Sequence, residues 1–245
     1  MWRLMKTMVI IQARMGSSRL PGKILKPLGK KDVLSYVVER CKKMNGVSDV
    51  VVATSTLAQD DIVEEWCKQK DIAYFRGSEE HVLSRYVQAA ERYNPDYVIR
   101  VTADCPYVDF QLASEMIMRM EEFPSDFIKI GGELPRGLAV ELFSFAALKY
   151  IEKHGKEQRH IEHVTYYAYE KHHEFSWSYV ALPQGLSHPH LRITLDTEED
   201  YELCQQIAEH FKGDLLVPSE EVVRFLLDHP EIAKINAHIE QKPVV

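Results

Sequence analysis

The run Gln12-Ala13-Arg14-Met15-Gly16-Ser17-Ser18-Arg19-Leu20-Pro21-Gly22-Lys23 gathers the residue types that hold a polyanion. Arg14, Arg19 and Lys23 place three positive charges within ten residues. Guanidinium groups match phosphate oxygens in pairs, and a lysine ammonium acts as a compact point charge. Ser17 and Ser18 add hydroxyl donors, and Gly16 lets the backbone approach an anion closely. The segment reads as a cradle for a triphosphate or pyrophosphate. It matches neither common phosphate loop. A Walker A loop carries four residues between its glycines and a Ser or Thr after its Lys. Here five residues separate Gly16 from Gly22, and Ile24 follows Lys23. A GxGxxG fingerprint is also absent. The plainer alternative is a charged surface turn.

Two aspartates stand where α/β sites gather, just past apolar strand-like runs. Asp104 follows Tyr97–Thr102 and precedes Cys105-Pro106. Asp196 follows Arg192-Ile193-Thr194-Leu195 and precedes Thr197-Glu198-Glu199-Asp200. Carboxylates so placed suit Mg²⁺, a hard cation that prefers oxygen ligands and substrate phosphates. Asp196 has a second reading, because an Asp or Thr followed by acidic residues is an ordinary helix start. Thr197 and Asp200 also fit an acidic capping box.

Charge supports a local anion site over an extended polyanion groove. Residues 1–31 hold eight Lys or Arg and no Asp or Glu, whereas the whole chain carries a net charge of −7. A nucleic-acid surface is therefore not expected. No apolar run is long enough for a transmembrane helix, and the start lacks a secretory pattern. We expect a cytoplasmic protein. The four cysteines, Cys41, Cys67, Cys105 and Cys204, lack CxxC spacing and are expected as reduced thiols.

These residues need a frame. Apolar runs at Thr7–Ala13, Val50–Ala53, Ile72–Phe75 and Tyr97–Thr102 alternate with helical periodicity beginning near Val33, Ile62, Val82 and Leu112. That alternation predicts an α/β fold with a mostly parallel sheet covered on both faces. After residue 131 the pattern loosens. It predicts helices near 142–154 and 158–171, a strand over Ser176–Leu182, a loop over Gln184–Pro189 and a strand over Leu191–Leu195. Helices near 198–211 and 219–228 close the chain. We read residues 1–245 as one domain, with 131–190 an excursion from the sheet and 191–245 the return to it.

The segments IIQARMGSSRLPGKILKPLGKKDVLSYVVER, Val51-Val52-Ala53-Thr54-Ser55, Phe75-Arg76-Gly77-Ser78-Glu79, Val101-Thr102-Ala103-Asp104-Cys105-Pro106, Pro135-Arg136-Gly137-Leu138-Ala139-Val140-Glu141, Glu162-His163-Val164-Thr165 and Leu195-Asp196-Thr197-Glu198-Glu199-Asp200 span nearly the whole chain. Together they resemble the SpsF-type spore coat polysaccharide biosynthesis proteins. These belong with the sugar cytidylyltransferases that act on 3-deoxy-manno-octulosonate and sialic acids. The resemblance implies a Rossmann-like nucleotide-diphospho-sugar transferase fold. It implies transfer of CMP from CTP to a sugar acid with release of pyrophosphate, Mg²⁺ as cofactor, and a homodimer. Arg14, Ser17, Arg19 and Lys23 would contact CTP, with Lys23, Arg14 and Asp104 at the chemistry. Asp104 and Asp196 would hold the metal. Arg76 and Ser78 would contact nucleotide or sugar. Glu141 and His163 fall where the sugar pocket and dimer contact are shaped. The 3-deoxy-manno-octulosonate enzymes carry Gln-Gly-Asp where this chain has Thr102-Ala103-Asp104, and many SpsF-like chains carry Val-Leu-Asp-Arg where it has Val82-Leu83-Ser84-Arg85.

The segment 131–190 would form a sugar-binding or dimerisation lobe. A sugar acid needs a cation for its carboxylate, from Arg136 or Arg159, and an acceptor for its hydroxyls, from Glu141. Arg159 and His163 are four apart and would share a helix face. A glycosyltransferase using a nucleotide-sugar is the competing activity. Such enzymes commonly use Asp-x-Asp, and Asp104 is followed by Cys105-Pro106.

Overall fold

The computed structural model describes residues 5–240. The chain opens with β1 (Thr7–Gln12), a hairpin of β2 (Pro27–Leu28) and β3 (Lys31–Asp32), and α1 (Val33–Lys42). β4 (Val47–Ser55), α2 (Asp61–Lys70), β5 (Ala73–Gly77), α3 (Val82–Tyr93), β6 (Tyr97–Thr102) and α4 (Phe110–Glu122) follow. Next come β7 (Phe127–Gly131), β8 (Glu141–Ser144), α5 (Phe145–His154), α6 (Gln158–Glu162), α7 (Tyr166–Glu170) and β9 (Trp177–Ala181). Helices α8 (Glu198–His210), α9 (Ser219–Asp228) and α10 (Pro230–Ala233) complete it.

Seven strands form one sheet in the order β5-β4-β1-β6-β8-β7-β9. β1 is parallel to β4 and β6, and β8 runs antiparallel between β6 and β7. The expected mostly parallel α/β sheet is present. Central strand β1 is buried on both faces because its successive side chains alternate between two helical layers. Val9 and Ile11 pack with α1 and α4 through Leu34, Val37, Met116 and Ile117. Met8 and Ile10 pack with α3 and α5 through Leu83, Tyr86, Leu148 and Ile151. A third cluster seats α8 and α9 against Leu20, Leu28, Ile193 and Leu195. No helix among the described residues is long and apolar enough to cross a membrane.

The sequence places β4 on one side of β1 and β6 on the other, so β1/β6 is a switch point of the strand order. Ligands bind outside the carboxyl ends of strands at such a point. The Arg14–Lys23 loop leaves β1 there, and Asp104 leaves β6 there.

Three expectations need correction. The segment 131–190 is not wholly an excursion, since β8 and β9 both join the main sheet. β8 is four residues long and runs straight into α5, whose N-cap is Ser144 with its hydroxyl accepting from Ala147 N at 3.0 Å. No turn signal separates strand from helix. The expected helix over 158–171 is two helices, broken at Val164, whose φ of 44° lies in the left-handed region. Residues Leu191–Leu195 run without a strand ladder, and the segment from 191 adds no strand to the sheet among the described residues. Their backbone groups go to two loops instead: Ile193 N donates to Arg136 O at 2.7 Å and Leu195 N to Asp104 O at 2.8 Å.

Candidate active site

The bond from Leu195 N to Asp104 O brings two aspartates together. It ties the backbone just before Asp196 to the backbone of Asp104, although the two are far apart in sequence. The helix-start reading of Asp196 also resolves. Thr197 is the N-cap of α8 and forms a capping box with Asp200. Asp196 precedes the cap, and its carboxylate is left to face the cleft.

The cradle loop is held by its own local bonds. Met15 N donates to Asp60 Oδ1 at 2.6 Å, and Leu20 N to Ser17 Oγ at 3.3 Å. Asp60 is itself buried and accepts from Ser55 Oγ. Leu20 is an apolar anchor in the third cluster. Gly22 takes φ 68°, a left-handed turn that favours glycine, and starts the short 3-10 turn Lys23–Leu25. This turn aims Lys23 inward. Lys23 Nζ donates to Asp104 Oδ2 at 2.6 Å and to Asp196 Oδ1 at 2.8 Å. Arg19 Nη2 lies 3.2 Å from Asp196 Oδ2.

The electrostatics follow from these pairs. Burial opposes the Lys23 charge, but Asp104 and Asp196 outweigh it and hold the ammonium above its ordinary range. Burial likewise opposes the Asp196 carboxylate, yet Lys23, Arg19 and Arg192 keep it below the usual range. Beside them the Cys105 thiol is pushed up to about 12 by burial and by Asp104, so it is not a nucleophile at neutral pH.

A cleft of about 750 Å³ opens outside the two aspartates, walled by Arg19, Arg100, Arg136 and His163. It shares Arg100, Thr102 and Ile130 with an adjoining hollow of about 480 Å³ bounded by Lys129, Glu141 and Tyr169. Glu141 accepts from Arg100 Nη1 at 2.5 Å, Thr165 Oγ1 at 2.6 Å and Tyr169 Oη at 3.3 Å. Arg136 has no ion-pair partner among the described residues.

Of the expected residues, Arg19, Lys23, Asp104, Asp196 and His163 line or face this cleft, and Glu141 faces its extension. Arg14 stands at the cradle's outer side, paired with Glu79 at 2.7 Å. Gly16 packs beside Gln59 and Glu79. Ser78 accepts from His81 N at 3.0 Å in the turn before α3. Arg76 is drawn to α2 by Glu64 and Asp61, each at 2.7 Å. Arg159 and His163 keep their helical relation, since His163 caps α6 and its N–H donates to Arg159 O at 3.0 Å, but the Arg159 guanidinium does not reach the cleft. It pairs instead with Glu157 at 2.7 Å and Glu170 at 3.1 Å.

Residue reasoning found the capping box of Asp200 but missed its ion pair with Arg192, and missed the pairing of Glu79. Arg192 bonds Asp196 Oδ2 at 3.0 Å and grips Asp200 through Nε at 2.8 Å and Nη2 at 2.9 Å. The signal was present: residues 192, 194 and 196 project to one side of an extended segment. Glu79 gives no such signal, since its partner Arg14 lies on another strand's loop.

The donor set also bears on a metal. Two carboxylate oxygens already converge on one cation, the Lys23 ammonium, and this suits Mg²⁺, which takes one or two carboxylates plus substrate phosphates and waters. Among the described residues no group of three or more His, Cys, Asp or Glu is arranged as an all-protein cage.

The Cytidylyltransferase family model matches residues 8–243. The chain is 35% identical to the spore coat polysaccharide biosynthesis protein SpsF of Bacillus subtilis (strain 168), over 91% of this chain and 95% of that protein. A cytidylyltransferase structure from Leptospira borgpetersenii serovar Hardjo-bovis superposes with a TM-score of 0.86 at 29% identity, covering 98% of this chain and 100% of the other. A CMP:2-keto-3-deoxy-manno-octonic acid synthetase complexed with CTP shares the fold, with a TM-score of 0.64 at 16% identity over 84% and 99% of the two chains. A family model that spans residues 8–243 and a relative 35% identical over 91% of the chain, on a fold that sets a basic loop and paired aspartates at its switch point, place the protein in the cytidylyltransferase family.

Proposed function

We propose that the protein transfers CMP from CTP to a sugar acid, releasing pyrophosphate, in the synthesis of a surface or spore coat polysaccharide. The observation that carries this reading is the meeting of Lys23, Arg19, Asp104 and Asp196 at the mouth of a cleft large enough for a nucleotide and a sugar. The relatives named for spore coat polysaccharide biosynthesis and for an octonic acid synthetase support the sugar half.

In this reading Arg14, Arg19 and Lys23 bind the triphosphate, with Ser17 and the Gly16 backbone beside them. Negative charge grows on the phosphate oxygens as the sugar hydroxyl attacks the α-phosphorus, so fixed cations aimed there lower the barrier. Asp104 and Asp196 would hold Mg²⁺, which would neutralise phosphate charge and acidify the attacking hydroxyl. Arg136, unpaired and on the cleft wall, is positioned for the sugar carboxylate. Glu141, fixed by Arg100 and Thr165, is an acceptor for sugar hydroxyls. Ser78 and Arg76, held by their own local partners, would contact nucleotide or sugar. Segment 131–190 carries both Arg136 and Glu141, and the same segment would form the homodimer contact.

Pyrophosphate release from CTP and Mg²⁺, across a panel of sugar acids, tests the proposal. Release that depends on one acid supports it. Consumption of a nucleotide-sugar with no pyrophosphate would overturn it in favour of a glycosyltransferase.

A further inference from the structure

The three cations of the cradle are already engaged by carboxylates. Arg14 pairs with Glu79 at 2.7 Å, Arg19 with Asp196 at 3.2 Å, and Lys23 with both Asp104 and Asp196 at 2.6 and 2.8 Å. Lys23 is the most enclosed of the three, with its side chain 11% exposed. It stands at the point on which the two aspartate carboxylates converge.

Consider what each ligand meets on entering alone. A triphosphate must draw Lys23 away from both aspartates, leaving two carboxylates with less compensation next to a polyanion. A divalent cation must approach the same carboxylates with an ammonium between them, and like charges a few ångströms apart in a partly buried site repel strongly. When both enter, every group keeps an opposite charge beside it. The ammonium moves to phosphate oxygens and the carboxylates turn to the metal.

We propose that Lys23 is a tethered counter-ion for Asp104 and Asp196, displaced jointly by metal and triphosphate, so that each ligand binds tightly only with the other. The inference rests on the reading of this cleft as a nucleotide site. By linkage, the factor by which the triphosphate tightens the metal equals the factor by which the metal tightens the triphosphate.

The test begins without nucleotide. Mn²⁺ binding to the full chain is measured by the loss of its free paramagnetic resonance signal, for the native protein, Lys23→Met and Arg14→Met. Lys23→Met should bind Mn²⁺ about fivefold or more tighter than the native protein, at the lower end of typical coupling factors. Arg14→Met removes an equal charge that touches neither aspartate, and should not show this gain. Adding CTP should tighten Mn²⁺ on the native protein by about 5- to 150-fold, and by several-fold less on Lys23→Met. Near-ultraviolet circular dichroism checks folding, and Lys23→Gln replaces Lys23→Met if the latter misfolds. Unchanged or weaker Mn²⁺ binding to the Lys23 variant, or an equal gain in Arg14→Met, overturns the proposal. If Lys23→Met gains Mn²⁺ affinity but CTP binds neither protein, the counter-ion role stands and the cytidylyl reading falls.

Discussion

Arg192 and Asp200 form a buried two-pronged ion pair, Nε to Oδ1 at 2.8 Å and Nη2 to Oδ2 at 2.9 Å, with Asp200 wholly enclosed. The pair is closed by Asn236, whose Nδ2 donates to Asp200 Oδ1 at 2.8 Å and to Arg192 O at 3.0 Å. Because Nη2 of Arg192 also reaches Asp196 Oδ2, the pair supports a site residue from behind. Removing one partner of a buried pair costs about 3–5 kcal/mol when the other charge is left uncompensated, and the contact that Arg192 keeps with Asp196 sets the cost here near the lower end, about 3 kcal/mol. Asp200→Ala should therefore lower the unfolding free energy by about that amount in urea titrations. Lys42→Ala breaks only an exposed pair with Glu39 and should cost less than about 1 kcal/mol. Equal midpoints for Asp200→Ala and the native protein would show that the network adds nothing.

Asp104 is partly exposed and bonded through its side chain to Lys23, so its carboxylate serves the cleft more than the core. Asp104→Asn keeps the shape and removes the charge. Turnover in the pyrophosphate assay should fall by about 10²–10³, the usual cost of losing one electrostatic stabiliser. The thermal midpoint should stay close to that of the native protein. A variant with near-normal turnover removes Asp104 from the chemistry.

The parts legible in the sequence were those set by local pattern. The β1 and β6 runs are mostly apolar and end next to chemistry-bearing residues, so both strands and the cradle could be read directly. Thr197 and Asp200 announced the start of α8 in the same way. What stayed hidden depends on pairing across the chain. Leu191–Leu195 has a strand's composition, but its backbone bonds go to Arg136 and Asp104, and no local rule distinguishes loop partners from a ladder. β8 is too short, and too tightly joined to α5, to show a period. Arg159 and His163 have the helical spacing expected of them, yet Glu157 and Glu170 hold the Arg159 guanidinium, and no local rule announces those partners.

Asp196 gives a pH signature with a defined sign. Burial raises its pKa, but Lys23, Arg19 and Arg192 together hold it below the ordinary 3.8. The unfolded chain then binds the proton more readily than the native one. The stability this carboxylate lends is complete above 3.8 and is lost as pH falls through the lower native value. Asp196→Asn should be less stable than the native protein at neutral pH. Urea midpoints of the two should converge as pH drops below 3.8. A gap that stays constant through acid would mean that Asp196 lends no ion-pair stability.

Gly137 holds the backbone that carries Arg136. Its φ is 99°, and a Cβ there would lie 2.6 Å from Thr194 N and 2.7 Å from Ile193 C, both main-chain atoms. The clash cannot be relieved by a side-chain rotation. Gly137→Ala should cost about 1–3 kcal/mol from the backbone conformation alone, before the contact is counted. Because the Arg136–Arg192 bridge would be pushed apart, kcat should also fall. A stability unchanged by the substitution would show that the loop yields freely.

Arg136 and Arg159 separate the two roles assigned to the 131–190 segment. Arg136 lines the cleft that also holds Asp104 and Asp196, and has no carboxylate ion-pair partner among the described residues. Arg159 is bound to Glu157 and Glu170 and lines neither hollow of the cleft. A charge-assisted bond to a substrate carboxylate contributes about 1.5–3 kcal/mol. Arg136→Ala should therefore raise KM for the sugar acid by about 10- to 150-fold while leaving CTP affinity within about twofold. Arg159→Ala should leave both constants close to native, since its ion pairs are surface contacts of small energy. Steady-state kinetics with the acid varied at saturating CTP, together with light scattering of both variants, separates the cases. A sugar KM that moves only with Arg159→Ala would relocate the sugar site to α6. A change in oligomer mass with Arg136→Ala and no change in KM would make the cleft wall an interface between copies.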